Sequence, residues 1–170
     1  FSHLPPVTPE KAVDLGCGGG RNIAKLAKLH ENSELKGIDI SPLCVEKASK
    51  YNRKLIEMDR VKIECGDVGK LSEKENFYDL VAAVETIYFW SDIKLCFEKV
   101  RKCLNEGGVF LIINELEGKD PSAVKYERII KGLKVYKVEE IEEYLRMAGF
   151  KNIGTSCRER SSWIAVTARK

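Results

Sequence analysis

The residues with the clearest chemical purpose lie in Ala12-Val13-Asp14-Leu15-Gly16-Cys17-Gly18-Gly19-Gly20-Arg21-Asn22. An apolar strand leads into a turn made almost wholly of glycine, and the turn leads into a helix. Glycine adopts positive φ without steric cost and leaves no side chain between the main chain and a ligand. Nineteen residues after Gly20, the segment Leu35-Lys36-Gly37-Ile38-Asp39-Ile40 forms a second apolar strand that ends in an acid. A carboxylate at that strand tip accepts hydrogen bonds from a ribose diol. Turn and acid together describe a site for a nucleoside-containing cofactor.

The dinucleotide fingerprint G-x-G-x-x-G is not met. Counted from Gly16, Arg21 stands where the third glycine belongs, and counted from Gly18, Ile23 does. Asp14, two residues before the first glycine, favours a cationic or ammonium-bearing ligand over a pyrophosphate. Val13-Asp14-Leu15-Gly16-Cys17-Gly18-Gly19-Gly20 resembles, position by position, the first motif of the class I S-adenosylmethionine-dependent methyltransferases, (V/L/I)-(D/E)-(L/I/V)-G-x-G-x-G. The resemblance continues in order along the chain. Gly37-Ile38-Asp39-Ile40-Ser41-Pro42 is similar to the family's second motif and Cys65-Gly66-Asp67-Val68 to its third. Tyr78 to Glu85 resembles the fourth strand and its tip. Leu104-Asn105-Glu106-Gly107-Gly108 resembles the L-x-P-G-G turn, with Glu106 in place of proline, and Leu145-Arg146-Met147-Ala148-Gly149-Phe150 the L-x-x-A-G-F before a closing hairpin.

The resemblance implies S-adenosyl-L-methionine as cofactor and a small molecule as methyl acceptor. It implies cofactor contacts at Asp14, Gly16, Cys17, Gly18, Gly20, Asp39, Ile40, Gly66, Asp67, Val68, Val84 and Glu85. Asp39 would take the ribose, Asp67 the adenine amino group, and Val68 the face of the ring. Methyl transfer is an in-line displacement, so holding nucleophile and methyl collinear does most of the work. A general base is needed only where the nucleophile must lose a proton. Catalytic candidates therefore lie in the run after strand four, Glu85, Tyr88 and Trp90, with Phe89 in the same aromatic cluster. Glu85 reads as a contact to the methionyl end, as a base or substrate anchor, or as a solvated or capping acid. The rings read as a wall for a flat or apolar acceptor, as a cation–π shield, or as core packing. The family's D/N-P-P-Y tetrapeptide and its K-D-H metal set are absent, and no metal site is expected. Two rival functions stay open: a non-catalytic cofactor-binding domain or subunit, and an NAD-dependent oxidoreductase, against which Arg21 counts.

Composition narrows the rest. A chain of 170 residues is expected to form a single domain spanning 1–170 with a core of its own. A net charge of +3 without a basic cluster gives no sign of an obligate nucleic-acid partner. No apolar run is long enough for a membrane span. The six cysteines form no C-x-x-C pair and read as buried free thiols of a cytoplasmic protein. Cys17, inside the turn, reads as a small filler. Few residues precede the first strand, so a substrate-covering N-terminal lid is expected to be short or missing. The oligomeric state is left open.

These residues must be positioned by alternating strands and helices, which predicts an α/β, Rossmann-like doubly wound sheet of seven strands, mostly parallel with a C-terminal antiparallel hairpin. Strands are expected at 12–15, 34–38, 61–64, 78–84 and 109–113. Helices are expected after the glycines, with Ile23, Leu26, Ala27 and His30 on one face, and after the Ser41-Pro42 cap, with Leu43, Ala48, Tyr51 and Leu55 inward. Further helices are expected at about 91–104, near 122–131, and at 139–148. The span 115–137 reads as a connector from which Tyr126 or Tyr136 could reach the site. Segments 152–157 and 163–167 form the hairpin around Arg158-Glu159-Arg160-Ser161.

Overall fold

The structure, a computed structural model, describes residues 7–116, 118, 121–157 and 163–170, without the side chains of 121, 122 and 124. Seven strands form one sheet: β1 (Lys11–Leu15), β2 (Glu34–Asp39), β3 (Val61–Cys65), β4 (Tyr78–Val84), β5 (Leu104–Asn114), β6 (Lys151–Cys157) and β7 (Ile164–Arg169). Their order is β3-β2-β1-β4-β5-β7-β6. β1 to β5 pair in parallel, while β7 runs antiparallel to both of its neighbours. This is the doubly wound sheet with a closing antiparallel hairpin that the alternation predicted. The turn at 158–161 lies outside the described residues.

Helices pack on both faces because the strands are apolar on both. Val13 and Leu15 of β1 and Phe110 and Ile112 of β5 face α4 (Ile93–Cys103) and α6 (Val138–Met147), which contribute Phe97, Val100, Ile141 and Leu145. Ala12, Leu80 and Leu111 face the other way, toward Ile23, Leu26 and Ala27 of α1 (Arg21–Leu29). Ala48 of α2 (Pro42–Tyr51) joins them. His30 is not part of that apolar stripe and follows α1 as its C-cap. Strand alternation places Asp14 on the α1 face, because Val13 and Leu15 take the other.

Other expectations are corrected as well. The helix after Ser41 is broken at Asn52 into α2 and α3 (Arg53–Glu57), and Leu43 and Tyr51 are exposed rather than inward. α2 lies so close to the glycine turn that only the small Ala48 fits between them. Leu104 belongs to β5 rather than to α4, because it pairs with Tyr78, and Leu95 is partly exposed. Cys65 and Cys157 are exposed, because each ends a strand at an edge of the sheet. Cys17, Cys96 and Cys103 are buried.

The connection from β3 to β4 carries only a 3-10 turn, Val68–Lys70, and no α-helix. No helix therefore covers β2 and β3 on the α4 side, and the sequence matches this. Lys36 of β2 pairs in register with Lys62 of β3, and Glu64 lies two residues further along the same face. Lys36 bridges Glu64 at 2.8 Å and Glu73 at 2.7 Å, and the Tyr78 hydroxyl donates to Glu73 at 2.5 Å. A cavity of about 510 Å³ lies here at the amino ends of the strands. Within its lining Lys36 is paired with Glu64 and Glu73, while Lys11 and Lys74 lie over the Phe77 ring.

Candidate cofactor and active site

The carboxyl ends of β1 to β4 surround a pocket of about 400 Å³, the position at which open parallel sheets bind ligands. The glycine turn forms its floor. The amides of Gly16 and Cys17 donate to Ile38 O at 2.7 and 3.0 Å, fastening the turn to the end of β2. Gly16, Gly18 and Gly20 have φ of 77, 52 and 78°. The reasons for glycine differ. A Cβ on Gly16 would collide with Thr86 Oγ1, and one on Gly20 would meet Ala48 at 2.9 Å and Asn52. A Cβ on Gly18 would meet nothing within 4 Å and would stand in the pocket itself.

Asp39 joins the two halves of the site. Its Oδ2 accepts from Gly18 N at 2.8 Å and its Oδ1 from Ser41 N at 2.9 Å. Each oxygen keeps a lone pair for a further donor. At the end of β3, Asp67 Oδ1 accepts from Gly69 N at 2.9 Å, while Oδ2 lies 4.0 Å from Lys70 Nζ.

Gly16, Gly18, Asp39, Ile40, Gly66, Asp67, Val68, Glu85 and Trp90 line the pocket, as do Gly69, Thr86, Phe89 and Ser91. Asp14, Cys17, Gly20 and Val84 do not. Asp14 is fully buried under the turn, with neither carboxylate oxygen hydrogen-bonded. Burial, and then the charge of Asp39, push its carboxyl up to about 7. Cys17 is seated over Gly37, whose Cβ would lie 3.0 Å from its sulfur. Burial and the neighbouring acids push the thiol up to about 12, so it serves as a filler and not as a nucleophile. Gly20 is glycine for the sake of α2 packing.

The strand-four tip is partly rearranged from expectation. Tyr88 does not wall the pocket; it is buried with Ala123, Leu133 and Val135. Its hydroxyl accepts from Leu116 N at 2.9 Å and lies 3.4 Å from Glu85 Oε1. The 3-10 turn Ile87–Phe89 turns Tyr88 inward and leaves Phe89 outward, 56% exposed. Trp90 lines the pocket while its ring packs on Phe97 and Phe110. Glu85 holds a left-handed φ of 57°, a strained conformation for a non-glycine residue of the kind that collects at functional sites. Its Oε1 accepts from Glu115 N. Burial raises its carboxyl above the ordinary value, that hydrogen bond opposes the rise, and the charge of Glu115 adds to it. Tyr126 is exposed, Tyr136 is buried against Tyr144, and neither lines the pocket.

Thr86 and Asn52 escape sequence reasoning. Thr86 meets Gly16 across some 70 residues, through the β1–β4 pairing. Asn52 Nδ2 donates to Gly20 O and Ala48 O, both at 3.0 Å, and so holds α2 on the turn. Neither forms part of a local pattern.

A methyltransferase-domain family model matches residues 8–152. The chain belongs to this methyltransferase family. The methyltransferase domain is 27% identical, over 98% of its length, to the 27-O-demethylrifamycin SV methyltransferase of Amycolatopsis mediterranei, and covers 64% of that protein. It is 28% identical over 92% of its length to the O-methyltransferase cnsE of Penicillium expansum, covering 58% of it. The chain thus spans about three fifths of the length of these curated relatives. Solved structures share the fold. A chain of the complex containing the Haloferax volcanii Trm112 methyltransferase activator superimposes with a TM-score of 0.88 at 18% identity, covering 99% of this methyltransferase domain and 85% of that chain. The Haemonchus contortus phosphoethanolamine N-methyltransferase 2, solved with S-adenosyl-L-methionine, gives 0.82 at 18% identity, covering 98% and 50%.

Proposed function

We propose that this domain binds S-adenosylmethionine across β1 to β4 and transfers its methyl group to a small-molecule acceptor. The observation that carries the reading is the Gly18–Asp39 hydrogen bond, which brings the open glycine and the ribose-type acid into one pocket. The residues fit the cofactor. Space stands open above Gly18, Asp39 keeps acceptor capacity on both oxygens, and Asp67 with Val68 lies at the next strand tip. When bound, the cofactor supplies a methyl group made electrophilic by a sulfonium. Asp39 accepts from the ribose hydroxyls, Asp67 Oδ2 accepts from the adenine amino group, and Val68 packs on the ring. Trp90 and Phe89 exclude water from the acceptor side. The relatives' names speak for small acceptors: one acts on a demethylrifamycin, and others are sterol 24-C-methyltransferases. Asp14 lies beneath the turn with its carboxyl raised to about 7, so a cationic ligand above it favours the ionised form and is favoured by it in turn.

Calorimetry with S-adenosylhomocysteine tests the reading. The wild-type protein binds it, and Asp39→Ala loses about 1.5–3 kcal/mol, the worth of hydrogen bonds to a charged group. Unchanged affinity in a folded Asp39→Ala protein would remove the basis of the proposal. Binding of NAD in place of S-adenosylhomocysteine would replace it with the oxidoreductase reading.

A further inference from the structure

The charge of the pocket has one sign. Its lining includes three carboxylates, Asp39, Asp67 and Glu85, and no lysine, arginine or histidine. Two of the three are already engaged. Asp39 accepts a backbone amide on each oxygen, and Asp67 caps the following 3-10 turn with Lys70 beside it. Glu85 differs. Oε1 takes the Glu115 amide and faces Tyr88, whereas Oε2 has no hydrogen-bond partner among the described residues. The charged neighbour that acts on it is another acid, Glu115.

Its position assigns it to the acceptor rather than to the cofactor. Through the Glu115 amide the carboxylate is tied to the β5 side of the β4 tip. Asp39 ends β2, two strand spacings from β4 in the sheet order, or about 10 Å, and the Glu115 tie draws the Glu85 carboxylate further toward β5. A ligand stretched from Asp67 to the glycine turn leaves the Glu85 side of the pocket open. Phe89, which is exposed, and the largely buried Trp90 line the same pocket as Glu85. A carboxylate without a counter-ion is a chemical match for a cation, and the exposed Phe89 ring in the same lining offers apolar surface for the rest of an acceptor.

We propose that the methyl acceptor is an amine, held through its nitrogen by Glu85 and packed against Phe89 and Trp90. This rests on the methyltransferase reading above. The amine arrives as its ammonium, and Glu85 Oε2 takes one proton from it and exposes the lone pair. That lone pair forms the new N–C bond while the donor's C–S bond breaks, its electron pair remaining on sulfur. The methylated ammonium leaves, and the proton on Glu85 passes to water. An anionic acceptor meets the same carboxylate as a repulsion, with no cation in the lining to offset it.

The test uses three probes of similar size on protein saturated with S-adenosylhomocysteine: phenethylamine, 2-phenylethanol and phenylacetate. Binding is read by calorimetry and by ligand-observed magnetic resonance. Phenethylamine binds at least about tenfold tighter than phenylacetate, a preference of about 1.4 kcal/mol. Glu85→Gln reduces the ratio to below about threefold, Glu85→Asp restores it, and the affinity for S-adenosylhomocysteine stays the same in both variants. Equal or tighter binding of phenylacetate, absence of phenethylamine binding, or a preference that survives Glu85→Gln overturns the amine assignment. A loss of S-adenosylhomocysteine affinity in Glu85→Gln overturns it too, by marking Glu85 as a cofactor contact. Failure of wild-type protein to bind S-adenosylhomocysteine at all strikes the methyltransferase reading instead, so the two failures are distinct.

Discussion

Both carboxylate oxygens of Asp14 are buried without a hydrogen-bond partner, and the carboxyl titrates near 7 instead of its ordinary 3.8. The gap corresponds to about 4 kcal/mol. The sign follows from linkage. The unfolded chain releases this proton above about 4 while the folded protein keeps it to about 7, so the contribution to stability falls as pH rises through that window. In Asp14→Asn this loss is absent. Urea unfolding of ligand-free protein at pH 5 and pH 8 should show a flatter pH dependence in the variant than in wild type; equal slopes would contradict the assignment. The glycines call for a second comparison at this scale. Gly18→Val places its side chain in the open pocket, so it abolishes S-adenosylhomocysteine binding, although its positive φ adds some strain. Gly20→Val drives a side chain into Ala48 and Asn52 and lowers stability by several kcal/mol, as overpacking and backbone strain add. Calorimetry and thermal melting of the two variants separate the roles; a Gly18→Val protein that still binds would defeat the contact assignment.

The tips of β4 and β5 are joined by a few polar contacts rather than by packing alone. Tyr88 reaches from the 3-10 turn after β4 to the amide of Leu116, and Glu85 reaches to the amide of Glu115. The strained φ of Glu85 is held in place by this pair of ties. Tyr88→Phe keeps the ring in its cluster with Leu133 and Val135 but leaves the Leu116 amide without its partner. The expected cost is about 0.5–1.5 kcal/mol, the net worth of one hydrogen bond, because the Leu116 amide is only part-buried and water can reach it. Because Tyr88 does not line the strand-tip pocket, S-adenosylhomocysteine affinity should hold while methyl transfer slows through a displaced Glu85. Denaturation, calorimetry and a radiolabelled transfer assay on one preparation check the three parts. A variant with wild-type turnover would show that the tie does not position Glu85. At the same scale, α2 is set by Ala48 and Asn52 rather than by its larger apolar residues, which explains why Leu43 and Tyr51 point outward.

At the scale of the molecule, the two sides of the sheet are unequal. Both faces of β1, β4 and β5 are buried, whereas β2 and β3 lack a helix on the α4 side and carry charges there. Lys62 and Glu64 also sit on an edge strand, where charge discourages pairing with another chain. Replacing both with valine removes that protection with little effect on the core. The double variant should melt close to wild type yet gain mass with concentration in light scattering. A concentration dependence identical to wild type would show that the edge is protected by something other than these charges. Among the described residues no helix is long and apolar enough to cross a membrane.

By itself the sequence determined the alternation of strands and helices, the sheet class, the glycine turn and the strand-tip acids, because each is written in local spacing. Gly16 and Gly18, Asp39, Asp67, Glu85 and Trp90 all arrive in one pocket, since parallel strands bring every strand tip to the same edge of the sheet. Tertiary structure decided what spacing does not encode. Tyr88 and Phe89 are adjacent in sequence, and a single 3-10 turn sends one into the core and the other to the pocket. Gly18 and Gly20 belong to one motif, yet one faces open space and the other faces α2. Thr86 and Asn52 gain their roles only from partners far along the chain. Such contacts depend on how elements approach one another in space, and no local pattern of residues records that approach.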